Sequence, residues 1–218
     1  FGPCGKRFTA IFFLRPPPGA CVVSVQNRPM SDLCAPGLAP VPAPVRWQGL
    51  PPVASEKTVV LVLGSFPGAA SLRVQQYYAH PQNHFWKILQ ALWPQHPLPA
   101  AGPEHYAQRC DWLLARGLGL WDVYASCERE GSLDTSIRNP QVNDFARLLG
   151  RCPRLAAVAH NGVESFRHAP AVQASLAAQH RPPLQAVRLP STSPANASWS
   201  FDRKLAAWAA VLSAHHLL

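Results

Sequence analysis

Within ten residues the chain gathers Gln75, Gln76, Tyr77, Tyr78, His80, Gln82, Asn83 and His84: four carboxamides, two phenols and two imidazoles. Such a cluster can orient water, donate to an anion or stack on a flat ligand. Just upstream, GSFPGAASL (Gly64–Leu72) places Gly64, Pro67 and Gly68 where an ordinary helix start would fall. They leave a bent backbone whose amides can face a ligand. A third polar stretch lies far downstream in LPSTSPANAS, Leu189–Ser198. There Ser191, Thr192 and Ser193 offer hydroxyls and successive N–H donors between Pro190 and Pro194, a set suited to gripping phosphates. The plainer reading of that stretch is a turn before a terminal helix.

These stretches need elements to position them. Val59–Leu63 is apolar without polar alternation, as in a strand buried on both faces. His84–Trp93 predicts a helix with Phe85, Ile88, Leu89 and Leu92 on one side and Asn83 as its N-cap. A second helix is expected over Glu104–Arg116, stopped by Gly117, then an interior strand over Leu118–Tyr124 and a polar loop over Ser126–Gln141. A short helix through Leu149 starts at Asn143 or Asp144. Strands over Leu155–Ala159 and Leu184–Leu189 follow, with a helix over Val163–Arg167 between them. Phe201, Leu205, Trp208, Val211 and Leu212 mark a C-terminal amphipathic helix. Four strands alternating with helices predict a three-layer α/β/α sandwich around a central, mainly parallel four-stranded sheet, with the polar loops at its C-terminal edge.

The 218 residues carry a formal charge of +9, which favours a polyanionic partner. Phe1–Pro29 holds four basic residues and no acidic one, and the remainder holds sixteen basic and eleven acidic residues, an excess of five. Residues 1–29 read as an extension outside the domain, with Met30 as a candidate start. Residues 30–57 read as a Pro/Ala-rich leader that Trp47 can dock, and 58–218 as the domain. The weak apolar run Thr9–Leu14 argues against a signal peptide, and no run approaches the ~20 apolar residues of a membrane helix. An intracellular protein is expected, cytoplasmic or nucleoid-associated if prokaryotic, and monomeric. Cys4, Cys21, Cys34, Cys110, Cys127 and Cys152 form no CxxC pair or compact ligand pattern. Free thiols are expected, and neither a metal nor another cofactor.

GSFPGAASL followed by QYYAHPQNHFW, with LWDVYASCEREGSLDTSI between them and the LPSTSPANAS motif, resembles the uracil-DNA glycosylase superfamily, in particular its hypoxanthine or deoxyinosine DNA glycosylase branch. The resemblance covers roughly Val59–Leu218. It implies hydrolytic removal of a deaminated base, hypoxanthine first and uracil second, from double-stranded DNA, with single-stranded DNA as a further candidate substrate. Thymine and mismatch-uracil relatives place a water-positioning Asn third in GINPG; here that position is Phe66. The resemblance moves the catalytic role to Asn83, which reads otherwise as the helix N-cap. It makes Tyr78 a base-stacking ring, with Ser65 and Phe66 as further pocket wall; either ring can instead complete the core. Asn161, in an NG turn, either reads a base edge or tolerates a left-handed turn. His80 and His84 are candidates for phosphate contact or for stabilising developing charge, or for ordinary structural roles. Ser191, Thr192, Ser193, Pro194 and Asn196 are the DNA-binding candidates, with Pro194, Ala195 and Asn196 in the wedge region although none is a large plug. Asp122 and Asp134 either orient a polar group in the pocket or form salt bridges away from it.

Two other readings stand beside this one. Phe66 allows a catalytically inactive DNA-binding protein of the same fold. An unrelated α/β nucleotide-binding enzyme is less well supported, since the chain has neither GxGxxG nor GxxxxGK[ST].

Overall fold

The computed structural model describes residues 45–218 except Gln179. These belong to the compact unit Ala43–Leu218; residues 1–44, with the expected extension and the first part of the leader, lie outside the described residues. In chain order come β1 (Arg46–Gln48), β2 (Val60–Gly64), α1 (Ala69–Val74), α2 (Phe85–Leu92) and, after a single 3₁₀ turn, α3 (Tyr106–Leu114). Next are β3 (Leu118–Asp122), β4 (Tyr124–Glu128), β5 (Arg138–Val142), α4 (Phe145–Leu149) and β6 (Ala157–Asn161). The chain closes with α5 (Val163–Phe166), α6 (Ala169–Ala177), β7 (Gln185–Leu189) and α7 (Phe201–Ala214).

The central sheet has the order β3-β2-β6-β7 with every pairing parallel. All five residues of β2, β3 and β6 are buried, as a strand run without polar alternation requires. The alternation of Cβ directions divides them between two cores. Val60, Val62, Leu118, Leu120, Ala157 and Ala159 face Phe85, Ile88 and Leu89 of α2, Leu113 of α3 and Trp208 and Leu212 of α7. Leu61, Leu63, Trp121 and Val158 face Leu72 of α1, Phe145, Leu148 and Leu149 of α4 and Val172 and Leu176 of α6. This is the three-layer sandwich expected from the sequence.

Two features were not expected. Instead of a loop over Ser126–Gln141, β4 and β5 pair antiparallel, and β1 joins β4, giving a second three-stranded sheet. Arg46 holds it together by donating to Ser126 Oγ at 2.9 Å and Asn139 O at 3.1 Å, and the Trp47 indole N–H donates to Arg129 O at 3.2 Å. Pro140 sits on β5, an edge strand, where a missing N–H is tolerated. The second feature is α6, which carries Pro170 in its first turn, where no intrahelical N–H is needed.

Since β3 lies on one side of β2 and β6 on the other, a crevice opens at the C-terminal edge between the two directions of winding. Gly64 pairs with Asp122 and Asn161 with Leu189, so four strand ends meet at that edge. Gly162, just past it, has φ +115°, and an added Cβ would lie 3.2 Å from Ser191 Cβ. Gly162→Ala is therefore expected to lower stability by about 1–3 kcal/mol, measured by urea denaturation, through backbone strain together with the crowding of Ser191.

Candidate functional site

A cavity of about 510 Å³ occupies the C-terminal edge of the sheet. Its walls come from the β2–α1 turn, the loop before α2, the end of β3, the β4–β5 loop, the end of β6 and the loop after β7. Every site residue expected from the sequence lines it except His84.

Asn83 lies two residues before α2, and the N-cap position expected for it is held by His84, with no side-chain cap bond. Asn83 Oδ1 accepts from Phe85 N–H at 2.9 Å, and its own N–H donates to His80 O at 2.8 Å. The carboxamide is thus tied to the first residue of the helix while lining the cavity. A carbonyl oxygen has two lone pairs, so one acceptor site and the NH₂ group stay available to a ligand or water. His80 is exposed and accepts Gln82 N–H on Nδ1 at 3.2 Å. His84 is directed to Phe201, edge-on with ring centroids 5.4 Å apart, and its Nδ1 is buried without a partner. Burial, then the charges of Lys204 and Lys87, lowers its pKa and so favours its neutral form.

Tyr78 adopts φ 56°, uncommon for a residue with a side chain. Its ring stacks on Phe85 with centroids 4.0 Å apart and planes at 23°. Its hydroxyl accepts from Asn161 Nδ2 at 3.2 Å, and burial raises its pKa. The same Asn161 amide grips the loop after β7: Nδ2 donates to Thr192 Oγ1 at 2.9 Å, and Oδ1 accepts Thr192 N–H at 2.9 Å. Thr192 is fully buried, and its carbonyl accepts His84 N–H at 3.0 Å. Around it the loop ties itself with short local bonds, Ser193 N–H to Ser191 Oγ and Ala195 N–H to Ser193 Oγ, both as acceptors. Asn196 donates to Ser191 O at 3.0 Å, and its own carbonyl receives Lys204 Nζ at 3.0 Å. Lys204 is 1% exposed, and burial lowers its pKa.

On the other wall, Ser65 Oγ donates to Asp134 Oδ1 at 2.6 Å. Phe66 is buried, part of the second core as well as the cavity wall, with the Arg129 guanidinium 5.0 Å above its ring. Arg129 donates to Pro67 O at 2.6 Å. Asp122 closes the floor. An added Cβ on Gly64 would come within 2.3 Å of its Oδ1, so only glycine admits the carboxyl there, and Oδ2 is buried without a partner. Burial, reinforced by the charge of Asp134 and opposed by Arg129, raises its pKa to about 8.

The arrangement joins an oriented carboxamide, an aromatic wall, a neutral acid and a loop rich in hydroxyls. Residues 51–212 match the family model described as Uracil DNA glycosylase superfamily. The chain belongs to that superfamily. Among its relatives, the Methanosarcina barkeri hypoxanthine DNA glycosylase is 39% identical over 130 residues, covering 60% of this chain and 80% of the relative. The protein of the same name from Methanosarcina acetivorans is 33% identical over 164 residues, covering 75% and 96%. A solution NMR structure of a Methanosarcina acetivorans protein, described as a candidate uracil DNA glycosylase, superposes with a TM-score of 0.63 at 32% identity, covering 79% of this chain and 99% of that one. The superfamily's hypoxanthine DNA glycosylase branch is thus where this chain stands.

Sequence reasoning left two contributors undecided or unseen. Asp122 ends a buried strand, and that burial was the available signal for a shifted carboxyl. Lys204 lies on the inner side of α7, a position its periodicity with Trp208 and Leu212 could have revealed. Among the described residues the thiols of Cys110, Cys127 and Cys152 are free.

Asp122 yields a pH prediction. The unfolded chain ionises it near 3.8 and the fold only near 8. Between those values the native state holds a proton that unfolding releases, so stability falls as pH rises across the window and levels off above it. Asp122→Asn removes that contribution. Thermal melts from about pH 5 to about pH 8 are expected to show wild type losing Tm relative to the variant; parallel curves would refute a neutral Asp122.

Proposed function

We propose that the protein is a monofunctional DNA glycosylase that hydrolyses the N-glycosidic bond of deaminated bases, hypoxanthine first and uracil second, and leaves an abasic site. The observation that carries this reading is Asn83, whose carboxamide is fixed by Phe85 N–H at the lining of a cavity large enough for a nucleobase. The hypoxanthine DNA glycosylase relatives support the substrate order.

A base within a duplex must leave the stack to enter such a pocket. Tyr78, backed by Phe85, offers an aromatic surface to hold it. An amide is too weak a base to take a proton from water outright, but Asn83 can hold the water against the sugar carbon as the glycosidic bond opens. The departing base carries developing negative charge. An ionised Asp122 would oppose it, whereas the neutral carboxyl that burial enforces below about 8 supplies an O–H donor. Ser191 and Ser193 accept within their loop and keep their hydroxyl protons for phosphate oxygens. Lys204 adds positive charge behind the same loop. Neither Lys87 nor Lys204 lines the cavity, so among the described residues no lysine is presented for Schiff-base chemistry.

The competing reading is an inactive DNA-binding relative, favoured by Phe66 filling the third motif position with a buried ring. Purified protein is expected to release hypoxanthine, and more slowly uracil, from duplex oligonucleotides while leaving normal bases intact, measured by chromatography of free base and by alkaline cleavage of abasic sites. Single-stranded oligonucleotides run beside them settle the strand preference. DNA binding without release would support the inactive reading. Asn83→Ala is expected to lower the single-turnover rate at least about 100-fold and, through loss of the bond to Phe85 N–H, stability by about 1 kcal/mol. Asn83→Ser keeps an acceptor for the helix N–H, so its stability is retained while the rate still falls; wild-type rates in both variants would eliminate the role.

A further inference from the structure

The loop after β7 is the rim expected to enter the duplex, yet its exposed tip carries only Pro194 and Ala195. The opposite rim is different. In the β4–β5 loop Leu133 lines the cavity mouth with 57% of its surface exposed. A lone exposed leucine is ordinary on a protein surface, but the backbone that carries this one is fixed on both sides. Ser132 Oγ accepts Ala69 N–H at 2.9 Å, and Asp134 accepts the Ser65 hydroxyl at 2.6 Å, so both neighbours are tied to the β2–α1 turn. The Leu133 carbonyl accepts both the N–H and the hydroxyl of Ser136, at 3.1 and 2.8 Å. Gly131, two residues earlier, has open space where a Cβ would point, so the loop projects clear of the fold.

We propose that Leu133 is the wedge that fills the space left in the base stack when the target nucleotide swings into the cavity. The inference rests on the glycosylase reading above. Unstacking a base step costs a few kcal/mol, and an apolar side chain inserted into the gap restores part of that contact. A wedge must be apolar, presented to solvent before DNA arrives, held on rigid backbone and adjacent to the pocket the base enters. Leu133 meets each requirement, and the side chains at the tip of the facing loop are too short to replace it. The two rims then divide the work: Ser191 and Ser193 grip the phosphates, and Leu133 occupies the stack.

The test compares single-turnover release of hypoxanthine from a fully paired duplex with release from the same duplex carrying the lesion in a short unpaired bubble. 2-Aminopurine beside the lesion reports unstacking by its fluorescence. Leu133→Ala is expected to slow release from the paired duplex about tenfold or more and to stay within about twofold of wild type on the bubble. Leu133→Phe, which can also fill the gap, is expected to restore the paired rate. An unchanged paired rate for Leu133→Ala, or an equal loss on both substrates, overturns the wedge. If wild type releases no base from either substrate, the glycosylase reading fails separately. The fluorescence then decides the wedge: a rise with wild type that Leu133→Ala lacks supports it, and identical traces refute it.

Discussion

One carboxamide holds the two halves of the site together. Asn161 ends the buried strand β6 and spends both ends of its amide on Thr192, accepting from its N–H and donating to its hydroxyl. Both partners are buried, so separating them would strand polar groups away from water, which costs more than the bonds themselves contribute. The consequence reaches beyond the pair. Thr192 passes the constraint through its carbonyl to His84 N–H, at the threshold of α2, and the next residue back is Asn83. A side chain from one strand end thereby sets the position of the helix start that presents the proposed catalytic amide. Gly162, with no Cβ to collide with Ser191, lets the loop approach closely enough for this to happen.

Burial is the second constraint. Phe66 departs from the polar residue of related motifs and puts a buried ring, with the Arg129 guanidinium over it, on the wall of the cavity that Asp122 also lines. A carboxyl in that setting keeps its proton to about 8. Arg129 and Asp134 act on Asp122 in opposite directions, and burial outweighs both. The buried Lys204 at the other rim shows the converse arrangement, a cation kept close behind a loop proposed to face phosphate.

What the sequence disclosed follows from the range of the interactions involved. Of the central strands, β2 is an unbroken apolar run and β3 and β6 are apolar up to their polar ends, so composition located them, with shifts at the ends: β6 starts at Ala157, after a turn bond from Leu155 N–H to Cys152 O. The helix faces followed from Phe85, Ile88 and Leu89 and from Trp208 and Leu212. The second sheet did not, since β5 is wholly exposed, contains Pro140 and depends on Arg46 nearly a hundred residues away. Helix α6 was missed because its burial rests on little more than Val172 and Leu176 within an alanine-rich stretch. For the site, motifs identified which residues assemble but not how they are spent. Thr192 read as an open donor until the fold showed both of its polar groups turned inward, and Leu133 was hidden among charged neighbours that read as a solvated loop.

The N-cap of α2 is His84, and Asn83 instead places one lone pair of Oδ1 on Phe85 N–H, a bond that removes the rotational freedom the carboxamide would otherwise lose when it met water and substrate. Tyr78 repeats the logic nearby. Its left-handed backbone is costly in isolation and persists because a ring stack at 4.0 Å and a bond from Asn161 over-determine it. One face of the ring is taken by Phe85 while the residue still lines the cavity. In both cases a structural contact pre-sets the geometry that the proposed chemistry requires, so the stability of this corner and its function draw on the same bonds.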